Sequence, residues 1–204
     1  MTLLTQTELD QVAAAIAAVE KKTDAELVTV LARQADDYHY IPTLWAALVA
    51  LVSPGLVSLM PFWLDLTETM VVQISVFVVL ALLLRVPPVL RRIIPARVRQ
   101  WRASNLARRQ FLENNLHHTS GETGILIFVA ETERYVEIIA DRGISAHVSN
   151  EAWQDIVDGF TAEVKAGNTL TGFLDAIAAC GIILEQHCPA THDRDELPNH
   201  LVVI

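Results

Sequence analysis

Hydrophobic positions along the chain follow three different patterns. After Thr7, apolar residues recur at Leu9, Val12, Ile16 and Val19, and this spacing predicts an amphipathic helix. The short β-branched run ELVTVL at residues 26–31 predicts a strand. Two much longer apolar runs follow at residues 41–60 and 69–84, and neither contains a charged residue.

The two long runs predict a transmembrane hairpin over residues 41–90, with spans at about 41–60 and 69–86. A helix needs about 20 apolar residues to cross the hydrocarbon core of a bilayer, and the first run has that length. The second run can extend past Arg85, because a long basic side chain can reach the membrane surface. Two buried helices in a soluble core are the alternative, but neither run has a polar face.

The remaining pattern predicts an α/β domain split by the hairpin. A basic helix is expected at residues 91–118, close to the membrane surface. GILIFVA at residues 124–130 predicts a buried strand, and residues 134–140 predict its hairpin partner. Two apolar-striped helices follow, within a segment 119–189 that would complete the domain begun by residues 1–34, and residues 190–204 are expected to be an acidic tail.

Charge sets the orientation of the predicted hairpin. Charged residues make up 19% of the chain, below the roughly 25% of soluble domains, and residues 85–109 hold eight arginines and no acid. The positive-inside rule places that flank and both termini in the cytoplasm. The expected membrane-surface arginines are Arg91, Arg92, Arg97, Arg99, Arg102, Arg108 and Arg109. Nucleic acid is excluded as a partner, because residues 110–204 hold fifteen acids against four bases.

Carboxylates are the main candidate chemistry. Glu133, Glu137 and Asp141 have even spacing, so on one strand they would share a face. Such a set can bind a divalent cation or hold a raised pKa for acid–base work, but it can equally be the solvated side of an edge strand. The sequence contains no P-loop, nucleophile elbow, zinc-protease helix or C-x-x-C pair.

The run GETGILIFVAETERYVEIIADRGI, followed by the Trp153 helix, the Gly167 break and Gly172–Phe173–Leu174, resembles the TPM domain family. The resemblance covers about residues 5–34 and 110–189, and it is to the bacterial membrane-bound subgroup, whose domain is interrupted by a hairpin. It implies an α/β/α sandwich with a small central sheet, in a protein that is located in the bacterial inner membrane. Glu196–Asn199 matches the subgroup's ELPN ending.

The resemblance also implies functions to test. Plant relatives show acid phosphatase activity, and some members bind calcium through acidic loops, which implies a calcium or magnesium site at Glu122, Glu133, Glu137 and Asp141. Bacterial relatives occur beside LemA-type membrane proteins, which implies a membrane-protein partner as well as lipid. The sequence therefore favours a non-catalytic interaction or membrane-assembly module. A divalent-metal-dependent phosphatase-like hydrolase is the alternative. A transport subunit is the weakest hypothesis, because neither span carries an ionisable residue within its core.

Overall fold

The computed structural model describes residues 4–59, 61, 64–119, 121–191 and 201–204, and for Pro87 and Arg91 it describes the backbone alone. The chain divides into two compact units. The first contains Met1–Ala35 and Gln100–Ile204, and the second contains Asp36–Arg99. The helices are α1 (Gln6–Glu20), α2 (Tyr40–Ser58), α3 (Leu66–Leu83), α4 (Pro87–Ile93), α5 (Ala96–Glu113), α6 (Arg142–Ser145), α7 (Asn150–Ala166) and α8 (Thr169–His187). The strands are β1 (Glu26–Ala32), β2 (Gly124–Ala130), β3 (Tyr135–Ala140) and β4 (Leu201–Val203), and a 3₁₀ turn covers Leu116–His118.

The first unit is built on a four-stranded mixed sheet in the order β3-β2-β1-β4. β1 pairs in parallel with β2 and with β4, whereas β2 and β3 form an antiparallel hairpin. All seven residues of β1 and all seven of β2 are buried. Continuous burial is expected for central strands covered on both faces, which explains why their sequences are apolar runs rather than alternating ones.

Helices cover both faces of this sheet, and the predicted α/β/α sandwich is confirmed. On one face, Leu27, Ile125 and Ile127 pack in a core with α1, α7 and α8. On the other face, Leu126 and Phe128 pack with the small, buried positions of α5. Alternate residues of one strand therefore serve two separate cores, as the period of two requires.

The end of the chain adds a strand that the sequence did not predict. β4 pairs with β1 through Leu201 opposite Thr29, and the Arg33 amide donates to the Ile204 carbonyl at 2.8 Å. The segment expected to be an acidic tail therefore ends in the sheet. Its acidic residues at 193–196, and the ELPN ending, lie outside the described residues.

The second unit contains the two predicted spans as helices α2 and α3, which pack on each other. The buried positions of α2 nearest its middle are small, namely Ala46, Ala50 and Ser53, and small side chains permit close helix contact. α3 begins at Leu66, three residues before its predicted span, because the Asp65 carboxylate accepts the Glu68 amide at 2.7 Å and caps the helix.

In the part of the chain that the structure describes, three helices are long and apolar enough to cross a membrane, namely α2, α3 and α8. They differ in how many of their side chains are buried. No residue of α3 is buried, whereas α8 buries a continuous stripe that includes Phe173, Ile177, Cys180 and Leu184 in the core of the first unit. Composition alone therefore does not distinguish α8, which is packed in a core, from α3, which has no buried residue.

Candidate functional site

The four carboxylates predicted to hold a metal lie at three different places on the sheet. Asp141 follows β3, and its amide donates to the Gly124 carbonyl at 2.8 Å, so it lies at the start of β2. Glu122 lies at the same end, since its carbonyl accepts the Gly143 amide at 2.9 Å. Glu133 lies in the turn that joins β2 to β3, at the opposite end of the hairpin. Six strand residues separate the two ends, which is roughly 20 Å.

The two carboxylates that do lie at one end have other partners. Asp141 caps α6 by accepting the Arg142 amide at 2.8 Å. The Glu122 carboxylate is 3.7 Å from the Arg142 guanidinium, and both side chains are more than half exposed, so this ion pair is weak. Among the residues that the structure describes, no three His, Cys, Asp or Glu side chains are grouped so that they could hold a metal ion.

Glu137 belongs to a different cluster, on the face of the sheet that α5 covers. It lies opposite Phe128 in the β2–β3 ladder. Its carboxylate accepts the Tyr135 hydroxyl at 3.0 Å and the Ser104 hydroxyl at 3.3 Å. Both of its oxygens are therefore engaged, and the cluster joins α5 to the edge strand β3.

Burial raises the pKa of Tyr135, and the neighbouring Glu137 carboxylate adds to the increase, while Ser104 and the Arg108 guanidinium oppose it. The phenol therefore remains protonated near neutral pH and remains a hydrogen-bond donor to Glu137. Sequence reasoning missed Ser104, because it is 33 residues from Glu137 in the chain. The only local signal was the two-residue spacing of Tyr135 and Glu137, which places both on one face.

The predicted membrane-surface arginines are not equivalent in the structure. Arg92, Arg97, Arg108 and Arg109 are exposed, whereas Arg99 and Arg102 are half-buried, and the side chain of Arg91 lies outside the described residues. Arg109 forms an ion pair with Glu113 one helical turn away, at 3.0 Å. Arg102 lies 5.0 Å from the centroid of the Trp101 ring, within the range of a cation–π contact.

α5 has one buried face and one exposed face, and the basic composition of the segment does not indicate this division. Its buried face consists of Ala103, Ala107, Gln110 and Phe111. On the opposite face, Trp101 is 59% exposed and Leu112 is 55% exposed. Large apolar side chains therefore project outward between exposed arginines.

Together, the fold and these clusters define an α/β/α protein with a mixed four-stranded sheet, plus a separate apolar helical unit. The family model of the TPM domain matches residues 93–182, and the predicted resemblance to that family is confirmed. No curated protein matches the chain.

A solved structure similar to this chain is the NMR structure of the BA42 protein from the psychrophilic bacterium Bizionia argentinensis. The TM-score is 0.61 at 20% sequence identity, with 98% of this chain and 95% of that chain covered. At this identity the likeness establishes a common fold.

Proposed function

We propose that this protein is a TPM-domain protein anchored in the bacterial inner membrane by α2 and α3, with the TPM domain working as a non-catalytic interaction module. The observation that carries the proposal is the surface of α3. An 18-residue apolar helix with no buried residue would expose a patch far larger than the few hundred Å² typical of soluble monomers. In a bilayer, the same surface contacts lipid.

The exposed apolar side chains extend over the outer surface of both helices. The larger ones are Leu44, Trp45, Leu48, Val49, Leu51, Val52, Leu56, Leu66, Met70, Val71, Ile74, Val78, Val79, Leu82 and Leu83. Backbone hydrogen bonds within each helix satisfy the polar main-chain groups, which is the condition for residing in hydrocarbon.

Charge around the hairpin supports an orientation with both termini in the cytoplasm. Residues 61–68, which link the two spans, contain no lysine or arginine, whereas eight arginines follow within residues 85–109. Basic residues close to a span are retained on the cytoplasmic side. The TPM domain would then face the cytoplasm.

A non-catalytic role is supported by the distribution of the carboxylates. Asp141 is used as a helix cap and Glu137 is engaged by Tyr135 and Ser104, while Glu133 is at the far end of the hairpin. An interaction module needs no fixed ligand set. The resemblance to membrane-bound relatives favours a membrane-protein partner of the LemA type.

The anchor is tested by placing charge on the lipid-facing side of α3. Ile74 and Val78 are exposed near its middle, and an arginine at the centre of a span costs about 2.5–3.5 kcal/mol by insertion scales. We expect Ile74→Arg/Val78→Arg to move the full chain from the membrane pellet to the alkaline-soluble fraction or to proteolysis.

The matched control is Gln154→Arg/Asp155→Arg, which places two arginines at exposed positions of α7 in the TPM domain. This variant should stay in the pellet. Loss of both variants from the membrane, or retention of both, would contradict the proposed anchor.

Catalysis is tested separately on the reconstituted chain. We expect no phosphate release from p-nitrophenyl phosphate with calcium or magnesium beyond that of Glu122→Gln/Asp141→Asn. Turnover that requires the metal and is lost in this variant would replace the interaction role with the hydrolase.

A further inference from the structure

The outward side of α5 carries a line of four exposed residues, Trp101, Asn105, Arg108 and Leu112. Their spacing of four, three and four residues keeps them on one face of a helix. The opposite face holds Ala103 and Ala107, which are fully buried against the sheet. The line is therefore fixed outward by the packing of the TPM domain and cannot turn inward.

The chemistry of this line matches the interfacial region of an anionic membrane. Tryptophan is enriched at the headgroup level, leucine adds apolar area, and arginine contacts phosphate. Acids within the basic segment do not offset this charge, because residues 85–109 contain none and Glu113 beyond them is paired with Arg109 at 3.0 Å.

The covalent chain keeps α5 close to any bilayer that α3 enters. α5 begins 12 residues after Leu84, the residue that directly follows α3. Twelve residues reach at most about 40 Å even when fully extended. A tether of this length makes a weak surface contact effectively intramolecular.

We propose that the Trp101–Asn105–Arg108–Leu112 face of α5 is a lipid-contact surface that seats on anionic phospholipid headgroups. The inference rests on the proposed membrane anchor and makes it more specific. It assigns lipid contact to one helix face, so the half-buried Arg99 and Arg102 do not belong to this surface.

The test uses the full chain with a nitroxide at the centre of the face, introduced by Asn105→Cys in a Cys188→Ser background. Cys180 is retained, because it is fully buried and does not label. The chain is placed in nanodiscs of equimolar phosphatidylcholine and phosphatidylglycerol, and the collision rates of the label with a water-soluble nickel chelate and with oxygen are measured. Labels at Gln154 on α7 and at Val79 on α3 report water and lipid respectively.

We expect the Asn105 label to collide with nickel several-fold less often than the Gln154 label, and the difference to shrink in pure phosphatidylcholine. Arg108→Gln should restore much of the nickel access, and Trp101→Ala/Leu112→Ala should restore the rest. Both sets of side chains are exposed, so these variants should fold.

Three outcomes would overturn the inference in distinguishable ways. If the Asn105 label is as open to nickel as the Gln154 label while Val79 is in lipid, lipid contact at α5 is excluded and the anchor stands. If the Val79 label is in water, the anchor itself fails. If Asn105 is equally shielded in pure phosphatidylcholine, and remains so in Arg108→Gln, contact with anionic headgroups is excluded.

Discussion

Phe173→Ala tests whether α8 is a core helix or crosses a membrane, since its composition permits both. Phe173 is fully buried and meets Phe160 edge to face, with ring centroids 4.9 Å apart and planes at 79°. Truncating a buried phenylalanine costs about 3–5 kcal/mol. About 0.5–1.5 kcal/mol of this is the aromatic pair itself.

Hydrogen exchange of the β2 amides measures this cost, because all seven residues of β2 are buried in the same unit as Phe173. A loss of about 3–5 kcal/mol lowers their protection by about 10²- to 4 × 10³-fold, at tenfold for each 1.4 kcal/mol. The full chain is compared in detergent, so the state of α2 and α3 does not change between variants.

Ile182→Ala is the matched control on the same helix, because Ile182 is 70% exposed. We expect a change of at most about 0.5 kcal/mol, or less than about threefold in protection. If α8 crossed the membrane instead, Phe173 would contact lipid, and neither substitution would alter β2. Equal effects of the two substitutions would therefore refute the assignment of α8 to the core.

Three further predictions concern backbone contact and cysteine chemistry. Gly143→Ala should lower the free energy of unfolding by about 1–3 kcal/mol in urea, because the added Cβ would clash with backbone carbonyl oxygens. The matched control is Gly159→Ala, since Gly159 has open space around it in α7. This variant should leave the free energy of unfolding unchanged or raise it by up to about 1 kcal/mol. Equal midpoints for the two variants would contradict this contact. Burial raises the pKa of Cys180 to about 12, so only Cys188 should react with iodoacetamide in the folded chain. The pKa of Cys188 is raised by burial and then by the Asp24 charge, so Asp24→Asn should move its alkylation profile to lower pH, and an unshifted profile would exclude that charge as a cause.

The central strands could be predicted from the sequence because their burial leaves a local signal. The run GILIFVA at residues 124–130 coincides with β2, and the run at 26–31 is extended by one residue in β1. A strand covered on both faces must be apolar throughout, so its identity does not depend on knowing its neighbours.

The expectation that Glu133, Glu137 and Asp141 share one face depended on a single strand that contains all three. β3 ends at Ala140, so Asp141 caps a helix, and it begins at Tyr135, so Glu133 lies in the turn. Arg134 in that turn has φ 54°, in the left-handed region, which breaks the period of two.

Long-range pairings explain the features that the sequence did not predict. β4 has only three residues, and its strand conformation depends on the edge that β1 offers. The contact between Ser104 and Glu137 likewise depends on how α5 crosses the sheet. Neither leaves a pattern in the neighbouring residues.

A pair of topology reporters tests the membrane anchor most directly. Green fluorescent protein and periplasmic alkaline phosphatase are fused in turn after Ile204 and after Leu64, in the link between α2 and α3. We expect fluorescence only from the fusion after Ile204 and phosphatase activity only from the fusion after Leu64. Fluorescence from both positions would contradict the hairpin, and the reverse pattern would contradict the cytoplasmic orientation.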